Sequence, residues 1–314
     1  MALVAVIGVT VAVTVSVTSD DDGGSEPTGN TFGLASADDK GPVNVITEDP
    51  TCAAWAPIND TFAAVQKRGW NERDPALPAA AWTPAQRTQY DEVAHAARDA
   101  ADQAVALIKV TPHRVMRELY EQFVAYARAY SDAVPEYIPD DDHLARVFTS
   151  TGAALVYVCA AIEYDAAAAR APLVDSTAPP SVLAPLTNPS DPERFLLDPD
   201  PVCEKWNRVL TQFNTDTKDW QALDSGISAS NWNPAQRAVV DAVVPVMTEF
   251  ADKIEDLGRS TSNPVFQDLA VLSAQYRRAY AAALPTYTPA DSYLTSVSRH
   301  AASAIYEACK AAGA

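Results

Sequence analysis

The sequence predicts an all-α protein: two tandem up-down four-helix bundles, each closed by one disulfide, after an N-terminal transmembrane helix. Three observations carry this. Long segments of the chain recur in order, apolar residues in each copy repeat at helical spacing, and each copy holds two of the four cysteines.

The first element is Ala2 to Thr18, which contains no charged residue. It is slightly shorter than the roughly 20 residues that span a bilayer as a helix. Residues 1–19 therefore read as a membrane anchor or as a cleaved signal segment, with Val17-Thr18-Ser19 as the cleavage site in the second case. No Lys or Arg precedes Lys40, whereas both kinds of segment ordinarily begin with positive charge. A basic stretch upstream of Met1 is the expected resolution. Residues 20–48 are polar and rich in Gly, Ser, Thr and Asp, and read as a flexible stalk.

The repeat organises the remainder. Asp49-Pro50-Thr51-Cys52 and Trp55 match Asp200-Pro201-Val202-Cys203 and Trp206. Trp82-Thr83-Pro84-Ala85-Gln86-Arg87 matches Trp232-Asn233-Pro234-Ala235-Gln236-Arg237, and Tyr126 to Tyr130 matches Tyr276 to Tyr280. The copies cover residues 49–164 and 200–314, and a Pro- and Ala-rich linker, 165–199, joins them.

Each copy reads as four helices. The first begins at the cysteine, with Trp55, Ile58, Phe62 and Val65 on one stripe. The second begins at Thr83-Pro84 or Asn233-Pro234, a capping residue followed by a proline whose missing N–H costs nothing there. The third is expected to open at Thr111-Pro112 or Asn263-Pro264. The fourth opens near Pro139 or Pro289, with acidic residues in its first turn. In such a bundle the start of the first helix lies beside the end of the fourth, which selects Cys52–Cys159 and Cys203–Cys309 from the three pairings. Four free thiols are the alternative. Pairing requires an oxidising compartment, in agreement with an export segment.

The chain has 41 acidic and 23 basic side chains among 314 residues, a net charge of −18. Nucleic acid is excluded as an expected partner, because phosphate backbones call for basic patches. HExxH, CxxC, a phosphate-binding glycine loop and a nucleophile elbow are all absent from the sequence, so no catalytic residue, metal or cofactor is expected. Asp140-Asp141-Asp142-His143 reads as an acidic helix start rather than a metal cluster.

The candidate binding residues are polar or aromatic groups kept in both copies: Arg128 with Tyr126, Tyr130 and Tyr137, and Arg278 with Tyr276, Tyr280 and Tyr287. An Arg among tyrosines can clamp a carboxylate or phosphate. The same residues can equally serve structure, with the Arg on a helix-end carboxylate and the rings packed. Asp141 and Asp291 recur in the same turn. Arg87 and Arg237 are expected to contact a carboxylate. Six tryptophans in register are expected to anchor the first inter-helix loop, with carbohydrate stacking as the alternative.

The DPTCAAW, WTPAQR and YARAYSDAVPEY motifs, repeated as DPVCEKW, WNPAQR and YRRAYAAALPTY, resemble uncharacterised membrane proteins of mycobacteria and related actinobacteria. The resemblance implies a single anchor in the cytoplasmic membrane and an ectodomain outside the cytoplasm, and it carries over no catalytic residue. The expected function is that of an extracytoplasmic binding or scaffold protein of the cell envelope, with an envelope protein or lipid as partner. A lipid or small-molecule carrier or sensor, with a cavity in or between the bundles, is the alternative.

Overall fold

In a computed structural model, residues 31–314 are described. The apolar segment expected to be an anchor or signal, and residues 20–30 of the expected stalk, lie outside the described residues.

Local chemistry starts the helices. In α2 (Pro84–Val110), Thr83 Oγ1 accepts from Gln86 N at 3.3 Å and Gln86 Oε1 accepts from Thr83 N at 2.9 Å. In α8 (Pro234–Ser260), Asn233 and Gln236 make the same reciprocal pair at 2.9 and 3.0 Å. Each satisfies two backbone donors that a helix start otherwise leaves open. The other long helices are α1 (Cys52–Gln66), α3 (Arg114–Ala133) and α4 (Asp142–Glu163) in the first repeat. Those of the second repeat are α6 (Cys203–Asp216), α9 (Pro264–Ala283) and α10 (Ser292–Ala311). Short helices α5 (Ala166–Arg170) and α7 (Lys218–Gln221) complete the set among the described residues, which contain no strand.

One expected helix start is displaced. Thr111-Pro112 does not cap α3, which begins at Arg114. Thr111 corresponds to Thr261, and its hydroxyl donates to Asp49 Oδ2 at 2.6 Å. Asn263 does cap α9, accepting from Phe266 N at 3.0 Å. The two Pro dipeptides look alike but sit at different positions of the repeat.

Within each repeat the helices pack as a ring: α1 against α2 and α4, α3 against α2 and α4, and likewise α6, α8, α9 and α10. Disulfides join Cys52 to Cys159 and Cys203 to Cys309, tying the first helix of each repeat to the end of the last. Trp55 and Trp206, both essentially buried, pack edge-on against Phe123 and Phe266 beneath them.

The repeats meet face to face. Phe32–Ala314 forms one compact unit, with α4 lying along α10 in its largest helix–helix interface and α3 meeting α9. The contacts are reciprocal, as a pseudo-two-fold requires. His143 Nδ1 of α4 meets Glu307 Oε2 of α10 at 2.7 Å, while the corresponding Tyr157 and Tyr293 stack on each other. The span Pro139–Glu163 is long and apolar enough to cross a membrane, yet half of its apolar window is buried inside this protein. The buried half packs chiefly on α3 and α10.

The two connecting segments are packed. Where it is described, the expected stalk buries Leu34, Val43, Val45 and Ile46. Ile46 N donates to the Tyr276 hydroxyl on α9 at 3.2 Å. The linker does the same in the opposite direction. Leu196 is buried, and its carbonyl accepts from the Tyr126 hydroxyl on α3 at 3.3 Å. Each repeat is thus strapped by the segment that leads into the other. Leu34 and the three apolar residues between Val43 and Ile46 carry too little periodicity to announce this packing.

Candidate functional site

The residues shared by both repeats turn out to hold the scaffold. Arg128 bridges α3 to Asp102 on α2 at 2.7 Å and donates to Ser190 O. Arg278 bridges α9 to Asp252 and Glu255 on α8, at 2.8 and 2.5 Å. Tyr130 and Tyr280 accept from the indole N–H of Trp70 and Trp220, at 3.0 and 3.2 Å. Tyr137 and Tyr287 donate to the carbonyls of Pro75 and Ser225. These bonds pin the long first loop of each repeat, as expected of Trp70, Trp82, Trp220 and Trp232, whereas Trp55 and Trp206 lie within α1 and α6 and pack in the core instead. Burial raises the phenol pKa of all six tyrosines, and they stay neutral donors or acceptors.

Arg87 and Arg237 differ from expectation. They donate to Ala79 O and Ala229 O at 2.8 and 2.9 Å, and lie over Trp82 and Trp232. No carboxylate pairs with either among the described residues. Asp141 and Asp291 cap their own turns, accepting from Ile138 N and Thr288 N at 2.9 and 2.8 Å. Asp142 pairs with Arg73 and Arg146, and His143 with Glu307. No cluster of three metal-ligating side chains occurs among the described residues.

Of the eight candidate residues, Tyr280 and Tyr287 come together at a cavity of about 690 Å³ in the second repeat. Its apolar wall includes Phe213, Phe250, Trp220 and Trp232. Phe213 and Phe250 stack with ring centroids 3.9 Å apart. Arg277 enters from α9, with its guanidinium 4.9 Å above the Phe213 ring. Its Nε donates to Ser298 Oγ at 3.1 Å and its Nη1 to Thr295 Oγ1 at 2.6 Å. Burial lowers its pKa to about 10, Tyr280 opposing that shift and Arg299 adding to it, so it is still charged at neutral pH.

The first repeat is filled at the same place. Ala127 stands where Arg277 does, and Phe148 stands where Ser298 does. Phe148 is fully buried against Phe62, Phe123 and Tyr130. Arg73 stacks on Trp70 at 3.5 Å and pairs with Asp142, where the second repeat has Leu223 and Ser292. Replacing Phe by Ser and removing the Arg73–Asp142 pair opens the second repeat and leaves it polar on one side.

Arg277 is not among the residues common to both copies. The signal lay in the difference between YARAY and YRRAY. Shared residues report what both copies need in order to fold; a buried charge present in one copy reports what that copy does in addition.

A family model described as mycobacterial ESX-1 associated protein matches residues 34–313. An uncharacterised protein of Mycolicibacterium smegmatis (strain MKD8) is 53% identical over 319 residues, covering 99% of this chain and 85% of that relative. No solved structure matches. With the match extending over both repeats, the linker and the strap, the chain belongs to the family of mycobacterial ESX-1 associated proteins.

Proposed function

We propose that this protein is a non-catalytic binding module of the mycobacterial cell envelope that acts in association with ESX-1 secretion, and that its second repeat takes a small ligand. It is held at the cytoplasmic membrane by its N-terminal apolar segment, with the helical body outside the cytoplasm. The family description supports the secretion setting. The two disulfides support an oxidising compartment, since such bonds are rare in the cytosol. The first repeat acts as a closed brace for the second.

The observation that carries the ligand reading is the difference between two copies of one domain. A cavity of about 690 Å³ stands in one copy where Phe148 closes the other. Its size falls in the range of small-molecule sites, and its wall combines aromatic faces with a few polar groups. Ser298→Phe restores the residue of the closed copy. Native mass spectrometry of the full chain purified from a mycobacterial host is expected to show a bound small molecule, lost in Ser298→Phe while the fold persists. A wild-type chain with no bound molecule, together with no difference between the two proteins in small-molecule binding, would overturn the reading.

A further inference from the structure

Resting on that cavity reading, we infer that the second repeat recognises an oxyanion, a carboxylate or phosphate carried on an aromatic or acyl body, through Arg277 and Arg299. Arg277 is 3% exposed, and among the described residues it has no ion pair with a carboxylate. The other deeply buried arginines each have carboxylates beside them, hydrogen-bonded only in the case of Arg114. Arg114 pairs with Asp268, and Arg117 lies beside Glu118 and Glu121. A buried charge without a counterion is costly, and a guanidinium offers five N–H donors, of which Ser298 and Thr295 engage two.

A second cation deepens the deficit. Arg299, exposed, lines the same cavity and is close enough to depress the Arg277 pKa. It donates to His300 Nε2 at 3.1 Å, and no carboxylate pairs with it among the described residues. Burial, with Arg299 adding to it, lowers the His300 pKa to about 4, so that imidazole is a neutral acceptor and adds no third charge. The acidic residue lining the cavity is Asp224, exposed and turned to its own loop, where Oδ1 accepts from Gly226 N at 2.8 Å. Two unpaired guanidiniums therefore converge on one cavity in a chain whose acids outnumber its bases by 41 to 23.

The first repeat supplies the internal control. The first-repeat arginine nearest the corresponding place, Arg73, comes with its own carboxylate, Asp142. The second repeat has Ser292 in place of that carboxylate, and its arginine, Arg277, stands on α9 rather than in the first inter-helix loop. What the first copy supplies from its own chain, the second leaves for a ligand. The apolar part of the ligand is set by Phe213, Phe250 and Trp220, which line the remainder. Planar bidentate pairing of guanidinium with carboxylate or phosphate gives the orientation.

The test uses the full chain with both disulfides intact, titrated by calorimetry with 2-naphthoate and with the neutral isostere 2-naphthamide. The naphthoate is expected to bind about tenfold or more tightly than the amide, the size of a charge-assisted hydrogen bond. Arg277→Ala, which installs the residue of the first copy, should abolish that preference. Arg299→Ala, at an exposed position, should reduce it several-fold without touching the fold. Decanoate and inorganic phosphate serve as competitors. Displacement by decanoate alone marks an acyl-borne carboxylate, and displacement by phosphate alone marks a phosphate-bearing ligand; either supports the inference. Equal affinity for naphthoate and naphthamide, or an anion preference that survives both substitutions, overturns the inference and leaves the cavity reading standing. Binding of none of the four probes overturns both.

Discussion

The Thr111 hydroxyl at the end of α2 donates to Asp49 Oδ2 at 2.6 Å, and Thr261 makes the same bond to Asp200 in the second repeat. Asp49 also accepts from Thr51 N at 2.8 Å through its other oxygen. One carboxylate thus fixes both the entry to α1 and the exit from α2. Charge-assisted hydrogen bonds of this kind contribute about 1.5–3 kcal/mol each. Asp49→Asn and Asp200→Asn are each expected to lower unfolding stability by ~1–3 kcal/mol. Urea denaturation checks this, and a Thr111→Val, Asp49→Asn double-mutant cycle should show a coupling of about 1 kcal/mol or more. Additive losses would mean that the bond is idle.

The DPxC motif that contains these aspartates was visible as a repeat, but its carboxylate had no assigned partner, because the partner lies some 60 residues away in sequence. That separation divides what was legible from what was not. Capping boxes at Thr83 and Asn233, prolines in the first turn of α2 and α8, and the cysteine pairing all rest on local chemistry or on one repeat constraint. The crossing of the straps, Ile46 to Tyr276 and Leu196 to Tyr126, joins non-equivalent positions of the two copies. Alignment of the copies with each other cannot display it. The cavity was hidden for the complementary reason, since Arg277 and Ser298 are places where the copies disagree.

The straps should report on the coupling of the repeats. Tyr276→Phe removes the acceptor of the buried Ile46 N–H and leaves that donor unsatisfied. The expected cost is ~1–3 kcal/mol. Amide exchange should show faster opening at Val45 and Ile46 than at residues of α9 itself. Uniform acceleration across α9 would mean instead that the hydroxyl supports the helix and not the strap.

The two staples close loops with sequence separations of 107 and 106 residues. The chain-entropy relation gives roughly 4–5 kcal/mol for such a loop, and measured losses run about 2–5 kcal/mol. Non-reducing peptide mapping should recover Cys52 linked to Cys159 and Cys203 linked to Cys309. Cys203→Ser with Cys309→Ser is expected to lower the unfolding midpoint strongly and to loosen the cavity wall formed by Phe213 on α6. A peptide joining Cys52 to Cys203 would contradict the pairing.

Acidity should stabilise the fold, through carboxyls buried near the meeting of α3 and α9. Glu118 is fully buried, and neither of its oxygens has a hydrogen-bond partner. Arg117 lies 3.5 Å away, while Arg114 is committed to Asp268. Burial, then the nearby Asp268, drives the Glu118 pKa well up. Burial likewise raises Glu121 to about 7, with Arg117 at 3.7 Å opposing the shift. A carboxyl whose pKa is higher folded than unfolded contributes stability that is full below the unfolded value and lost as pH rises through the folded one. For Glu121 the loss runs from about pH 4.5 to about 7, with a ceiling of ~3 kcal/mol; for Glu118 the loss has the same sign. Unfolding free energy should therefore fall between pH 5 and pH 8. Glu121→Gln keeps the shape of the neutral acid and should flatten this slope, with Glu118→Gln flattening what remains. An unchanged slope in the double variant would place the titration elsewhere.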